Sequence, residues 1–186
     1  MRFNDHSRLD GKHAFLSPSK YHWVNYTPEK LDRVFRLSLA AQRGVALHDL
    51  AQRAIVLGVK LPRTAMTLNA YVNDAIGFRM VPEQILYYSR NAFGTADAIS
   101  FRKNKLRIHD LKTGITRVSF KQLCVYCALF CLEYNENPLK IDIELRIYFN
   151  DDVTVYIPEG EEISLIMDRI VTFDKQIERL REEEEL

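Results

Sequence analysis

GTADAISFRKNKLRIHDLKTG, residues 94–114, reads as two strands joined by a tight polar turn. Each strand carries one aspartate among apolar residues. With Lys103-Asn104 as a two-residue hairpin loop, residues whose numbers sum to 207 face one another. Arg102 then meets Lys105, Ile99 meets Ile108 and Asp97 meets Asp110. Opposed residues lie roughly 4.5–5.5 Å apart at Cβ. The two-residue side-chain period adds Lys112, Leu106, Ile108, Ile99 and Phe101 to the same face. A four-residue loop keeps this register and a three-residue loop breaks it. One apolar surface therefore ends in two carboxylates and an ammonium.

Like charges opposed across a ladder destabilise a sheet. Such a pair persists where a cation sits between the carboxylates or where they share a proton. Carboxylate oxygens are hard ligands suited to Mg²⁺ or Mn²⁺. A bound divalent ion lowers the pKa of its water and polarises a phosphoryl oxygen, and Lys112 would orient the water or stabilise developing charge. Glu83, on the preceding strand, is a further carboxylate for the same place. The competing reading is a strand-end salt bridge of the two aspartates with Lys112.

The surrounding chain reads as mixed α/β. Thr27-Pro28 forms an N-cap with Pro at the first helical position, and helical spacing then runs from Leu31 to Gly58. A second helix falls within residues 64–77. Strands are expected over 83–89, 94–102 and 106–112, followed by a helix over 119–135 with Ser119 as cap. Two more strands, 141–149 and 153–157, flank the turn Asn150-Asp151, and an amphipathic helix from Ile163 ends in acidic residues. The order is helices, three strands, a helix, two strands, a helix.

Composition fits one globular domain of 186 residues, 47% of them hydrophobic and 27% charged. Within it, 1–80 is mainly helical, 81–157 forms the sheet and its central helix, and 158–186 the final helix. No apolar run is long enough to span a membrane, and the start, MRFNDHSRLDGKH, lacks an apolar signal core, so a cytoplasmic setting is expected. The net charge of +1 is uneven: residues 159–186 hold ten acidic and four basic side chains, leaving +7 on the rest. A basic body is compatible with a polyanionic partner. Arg33, Arg36, Arg43 and Arg53, on or near the first long helix, either meet phosphates or form a solvated face. Tyr21, Trp23 and Tyr26 either stack on bases or pack.

Three motifs follow in order: G-x-x-D (Gly94–Asp97), D-L-K-T-G (Asp110–Gly114) and Q-x-x-x-Y (Gln122–Tyr126). Together they resemble the PD-(D/E)XK nucleases, most closely the RecB/Cas4-like exonuclease branch with its stand-alone phage enzymes. GVALHDLAQRA, carrying His48, resembles that branch's upstream histidine helix, and LSPSKYHW its S-x-S segment. The resemblance runs from about Gly44 to Glu133. It implies a restriction-endonuclease-like αβββαβ core and Mg²⁺- or Mn²⁺-dependent hydrolysis of DNA, with an exonuclease favoured over an endonuclease of the same fold.

By the same resemblance His48, Asp97, Asp110 and the backbone carbonyl of Leu111 bind metal, Lys112 is catalytic and Glu83 is an auxiliary acid. Gln122 and Tyr126 would touch the DNA or the lysine. Ser17, Ser19, Thr113 and Arg43 are further candidates for DNA contact. Phage or bacterial DNA processing and recombination is the implied setting, with a recombinase, a single-strand-binding protein or a helicase as partners and a homo-oligomer compatible. A catalytically silent DNA- or protein-binding module is the alternative from another class. His48 also reads as a helix residue bonded to a neighbour. His109 alternates away from Asp110 and is excluded, while His6, His13 and His22 have no evident partners. Cys124, Cys127 and Cys131, at helical spacing i, i+3, i+7, read as core residues. An iron–sulfur cluster needs four thiolates, and none is expected.

Overall fold

Thr27 opens the first long helix as its sequence implies. Its Oγ1 accepts from the Lys30 N–H at 3.2 Å, and its carbonyl accepts the first helical bond from Leu31 at 2.9 Å. The computed structural model describes residues 5, 7–9, 11, 14–114 and 119–184; His6 and His13 fall outside them. Helix α1 spans Pro28–Leu57 and ends at Gly58, whose φ of 67° is the left-handed conformation that glycine adopts without strain.

The chain divides into two compact units, Met1–Gly44 and Val45–Leu186, with the boundary inside α1. In the first unit a 3₁₀ segment, Pro18–Asn25, is tied down by the Trp23 indole N–H, which donates to the Ser17 carbonyl at 2.9 Å. Phe15 packs edge-on against Phe35.

The second unit is a five-stranded mixed sheet with helices on both faces. Helix α2 (Thr67–Gly77) precedes strands β1 (Val81–Ser89), β2 (Ala92–Arg102) and β3 (Lys105–Leu111). Helix α3 (Lys121–Tyr134) leads to β4 (Asp142–Phe149) and β5 (Asp152–Tyr156), and α4 (Gly160–Glu184) closes the chain. Spatial order follows sequence order. Every neighbouring pair is antiparallel except β3 with β4, which are parallel and joined across α3. No helix among the described residues is long and apolar enough to cross a membrane.

The hairpin forms in the expected register, with Arg102 opposite Lys105 and Ile99 opposite Ile108. Lys103 (φ 51°) and Asn104 (φ 59°) make the two-residue turn, whose backbone twist matches the strands it joins. Asn150 and Asp151 repeat this device between β4 and β5 with φ 48° and 57°. Ser119 does not cap α3. Phe120 occupies the cap position, and the Ser119 hydroxyl only accepts a long contact of 3.4 Å from the Lys121 N–H.

Two cores cover the two faces. Leu86, Ile99, Leu106, Ile108, Leu145 and Ile147 pack with α3 and α4. Cys124, Cys127 and Cys131 are all buried in this cluster, and burial pushes the thiols of Cys124 and Cys131 up to about 12. On the other face, Ala51 and Ile55 of α1 and Tyr71, Val72 and Ala75 of α2 meet Ala98, Leu111 and Tyr148.

That second core encloses a polar network. Asp74 accepts from the Tyr148 hydroxyl at 2.7 Å and from Arg146 at 3.0 Å, and Tyr148 also meets His109 Nδ1 at 3.2 Å. Burial, aided by the Arg146 charge, holds His109 down to about 3, so it is a neutral core residue on the face opposite Asp110.

Candidate metal centre

The centre is built where the regular ladder stops. Pro82 pairs with Ala98 and Gln84 with Ala96, but Glu83 and Asp97 between them do not pair. Glu83 has φ 51°, a left-handed conformation that strains a residue with a Cβ. Residues two apart on a regular strand face the same way. Yet Ala96 packs with the α3 core and Ala98 with the α1–α2 core. Strand β2 therefore rolls over at Asp97, and the simple alternation expected across this residue does not hold.

The expected pairing of Asp97 with Asp110 likewise stops one residue short, at Ala98 opposite His109. Asp97 Oδ2 instead accepts the Leu111 backbone N–H at 2.9 Å. Leu111 thus touches the centre through its backbone N–H.

His48, Glu83 and Asp97 come together from α1, β1 and β2, each offering one ligand atom, all within 4.8 Å of one another. His48 Nδ1 stands 3.6 Å from Asp97 Oδ2. Burial and the Asp110 charge push the Asp97 carboxyl up to about 6, against the Leu111 amide and His48, which favour its charged form. A carboxylate held this way lacks enough positive charge around it. Two hard oxygen donors and one imidazole are a set that fits a divalent cation.

Asp110, only 3% exposed, sits beside this trio rather than in it. Lys112 Nζ lies 3.0 Å from Oδ1 in hydrogen-bond geometry and 2.9 Å from Oδ2 as an ion-pair contact, which leaves Oδ2 buried without an aligned donor. The ammonium also donates to Gln122 Oε1 at 3.0 Å, and Gln122 Nε2 donates to the Tyr126 hydroxyl at 3.1 Å. The Lys112 backbone is anchored by its N–H bond to the Tyr148 carbonyl, 2.9 Å. Gln122 therefore holds the lysine, and Tyr126, one helical turn on along α3, holds Gln122.

Gly94 makes room for this grip. A Cβ there would lie 3.0 Å from Tyr126 Cε1. Gly94→Ala is expected to cost about 1–2 kcal/mol through overpacking. In a Tyr126→Ala background the penalty should vanish, which denaturant unfolding of the double-mutant cycle would measure. A penalty that persists there would locate the strain elsewhere.

Tyr71 carries no signal in the sequence as a site residue, because its helical spacing matches that of a core residue. It is buried, and its phenol is held neutral by burial and then by the negative charges of Asp97, Glu83 and Asp110. It thus forms an uncharged wall of the carboxylate cluster. Thr113 is exposed just beyond Lys112.

Ser17, Ser19 and Arg43 belong to the first unit. Ser17 is buried with its hydroxyl 2.8 Å from that of Ser19, and Arg43 is exposed.

Family models, curated proteins and solved structures all gave no match. The functional reading therefore rests on this geometry and on the motif resemblance.

Proposed function

We propose that this chain is a metal-dependent deoxyribonuclease built on a restriction-endonuclease-like core. The observation that carries the reading is the trio His48, Glu83 and Asp97 beside the Asp110–Lys112 pair, gathered from α1 and three adjoining strands. An ion pair alone would not require a third acid at a strained backbone position, or a histidine from another element.

His48, Glu83 and Asp97 would hold Mg²⁺ or Mn²⁺, and Asp110 beside them holds the Lys112 ammonium. The ion would supply Lewis acidity and an activated water. The chain's own residues do the positioning. Asp110 and Gln122 fix the Lys112 ammonium from two sides, so its charge is aimed without reorganisation at the place where negative charge grows on a phosphate. Tyr126 holds Gln122, and Tyr71 closes one side with a neutral group.

Digestion of linear and covalently closed circular DNA with Mg²⁺ or Mn²⁺ tests this reading. Loss of linear DNA only, blocked by EDTA, is the expected result for an exonuclease. Cleavage of both substrates would make it an endonuclease. Cleavage of neither would remove the stand-alone enzyme.

A further inference from the structure

At the far end of the same sheet lies an open cleft of about 810 Å³, between the end of α2 and the β2–β3 hairpin. Arg79, Arg102, Lys103, Lys105 and Arg107 line it, and Asp142 is the one acid in that lining.

Its charges fall into two groups. Lys105 and Arg107 are pinned by Glu144 at 2.8 and 3.5 Å, and Arg107 also stacks on Phe78, 4.6 Å from the ring centre. Arg146 shares both partners, 2.9 Å from Glu144 and 4.9 Å from the same ring, and is balanced further by Asp74. Lys105 and Arg107 form a fixed basic floor, with Arg146 behind them. Arg79, Arg102 and Lys103 are exposed and have no ion-pair partner among the described residues. They form an exposed rim of charge without ion pairs among the described residues.

Two of the rim residues occupy strained backbone. Arg79 has φ 54° just after α2, and Lys103 has φ 51° in the hairpin turn. Glycine or asparagine takes that conformation at lower energy. The chain carries a cation at both positions instead.

This arrangement points to a phosphodiester backbone rather than a free nucleotide. Phe78 is covered by two guanidinium groups and Phe101 packs on Phe130 at 5.2 Å, so neither ring offers a platform for a base. The cleft is open, and its rim cations come from separate elements, as a passing chain of phosphates requires.

Its distance from the centre follows from β3. Lys105 and Asp110 are five residues apart on one strand, about 16 Å at ~3.3 Å per residue. That is roughly five nucleotides at ~3.4 Å each.

We propose that this basic cleft holds the backbone of the DNA substrate about five nucleotides or more from the scissile bond. The proposal rests on the nuclease reading for its substrate, but its test does not depend on cleavage. The variant R79N/R102Q/K103N removes three charges while placing asparagine at both left-handed positions, so its melting temperature should match or exceed that of wild type. Fluorescence anisotropy with a labelled 20-nucleotide DNA, single- and double-stranded, in EDTA across a KCl series reads binding alone.

The expected result is at least a tenfold weaker Kd and a log–log salt slope shallower by about 2, since each phosphate contact contributes ~0.7–0.9. Cleavage of a four-nucleotide substrate, too short to reach the cleft, should match wild type. A wild-type protein that does not bind the 20-mer overturns the proposal, as does a variant with unchanged Kd and slope. If the variant loses binding while wild type cleaves nothing with either metal, the cleft stands and the nuclease reading falls. If wild type cleaves and the variant's slope is unchanged, the reverse holds.

Discussion

Lys112→Ala is expected to lower metal-dependent cleavage of linear DNA by at least about 10³-fold, because it removes the ammonium fixed at the carboxylate cluster. The size follows from how the ammonium is held. Asp110 and Gln122 grip it at 3.0 Å each, so its orientation is set before substrate arrives. A positioned charge that needs no reorganisation is worth about 2.7–4 kcal/mol to a transition state. The substitution also leaves the Asp110 carboxylate, 3% exposed, without its counter-ion, so a stability loss of about 1–3 kcal/mol should accompany it.

Lys112→Arg separates the two effects. A guanidinium restores the charge and most of the stability, but its planar fork cannot reproduce a point charge between Asp110 and Gln122. Its activity should therefore stay low while its melting temperature recovers. Wild-type cleavage by Lys112→Ala, measured as initial rates with Mg²⁺ and Mn²⁺, would remove Lys112 from the site.

The hairpin was legible because two local rules agree on it. Period-two alternation sets the faces, and a Lys-Asn turn sets the register. That Gln122 and Tyr126 share one face was legible because a spacing of four on a helix fixes it; contact with the lysine came only from the resemblance, which left DNA as the other partner.

What stayed hidden depends on residues that break local rules. The roll of β2 at Asp97 is coupled to a left-handed Glu83, and nothing in VPEQILYY marks that position as glycine or asparagine would. Tyr71 has core spacing and is a core residue, so its place among three carboxylates emerges only from tertiary packing. The basic cleft brings Arg79 beside Lys103, which local patterning cannot report. The division at Gly44 is hidden too, because it falls within a helix whose periodicity runs on through it.

Asp97→Asn should make the metal-free protein more stable at pH 8 and less responsive to metal. The sign follows from the titration. The Asp97 carboxyl ordinarily ionises near 3.8 and is pushed up to about 6 in the fold. The fold therefore favours the protonated form. That stabilisation is complete below about 3.8 and is lost as pH rises through about 6. Above that, the ionised group is a burden of about 1–3 kcal/mol. The groups that face it are His48 from α1, Tyr71 from α2, Glu83 from β1 and Asp110 from β3.

Asparagine is neutral at every pH and still offers an oxygen to the Leu111 N–H, so it keeps the one hydrogen bond that anchors the position. In EDTA its advantage over wild type should be greatest at pH 8 and close to nothing at pH 4. Mn²⁺ or Mg²⁺ should reverse the order. A cation at 100-fold its Kd stabilises wild type by about 2.7 kcal/mol, and the variant has lost one of the hard ligands. Thermal melts at the two pH values, with EDTA and with metal, read all four states. A variant less stable than wild type at pH 8 in EDTA would make Asp97 a structural anchor whose charge the fold already satisfies, and the case for a cation at this centre would go with it.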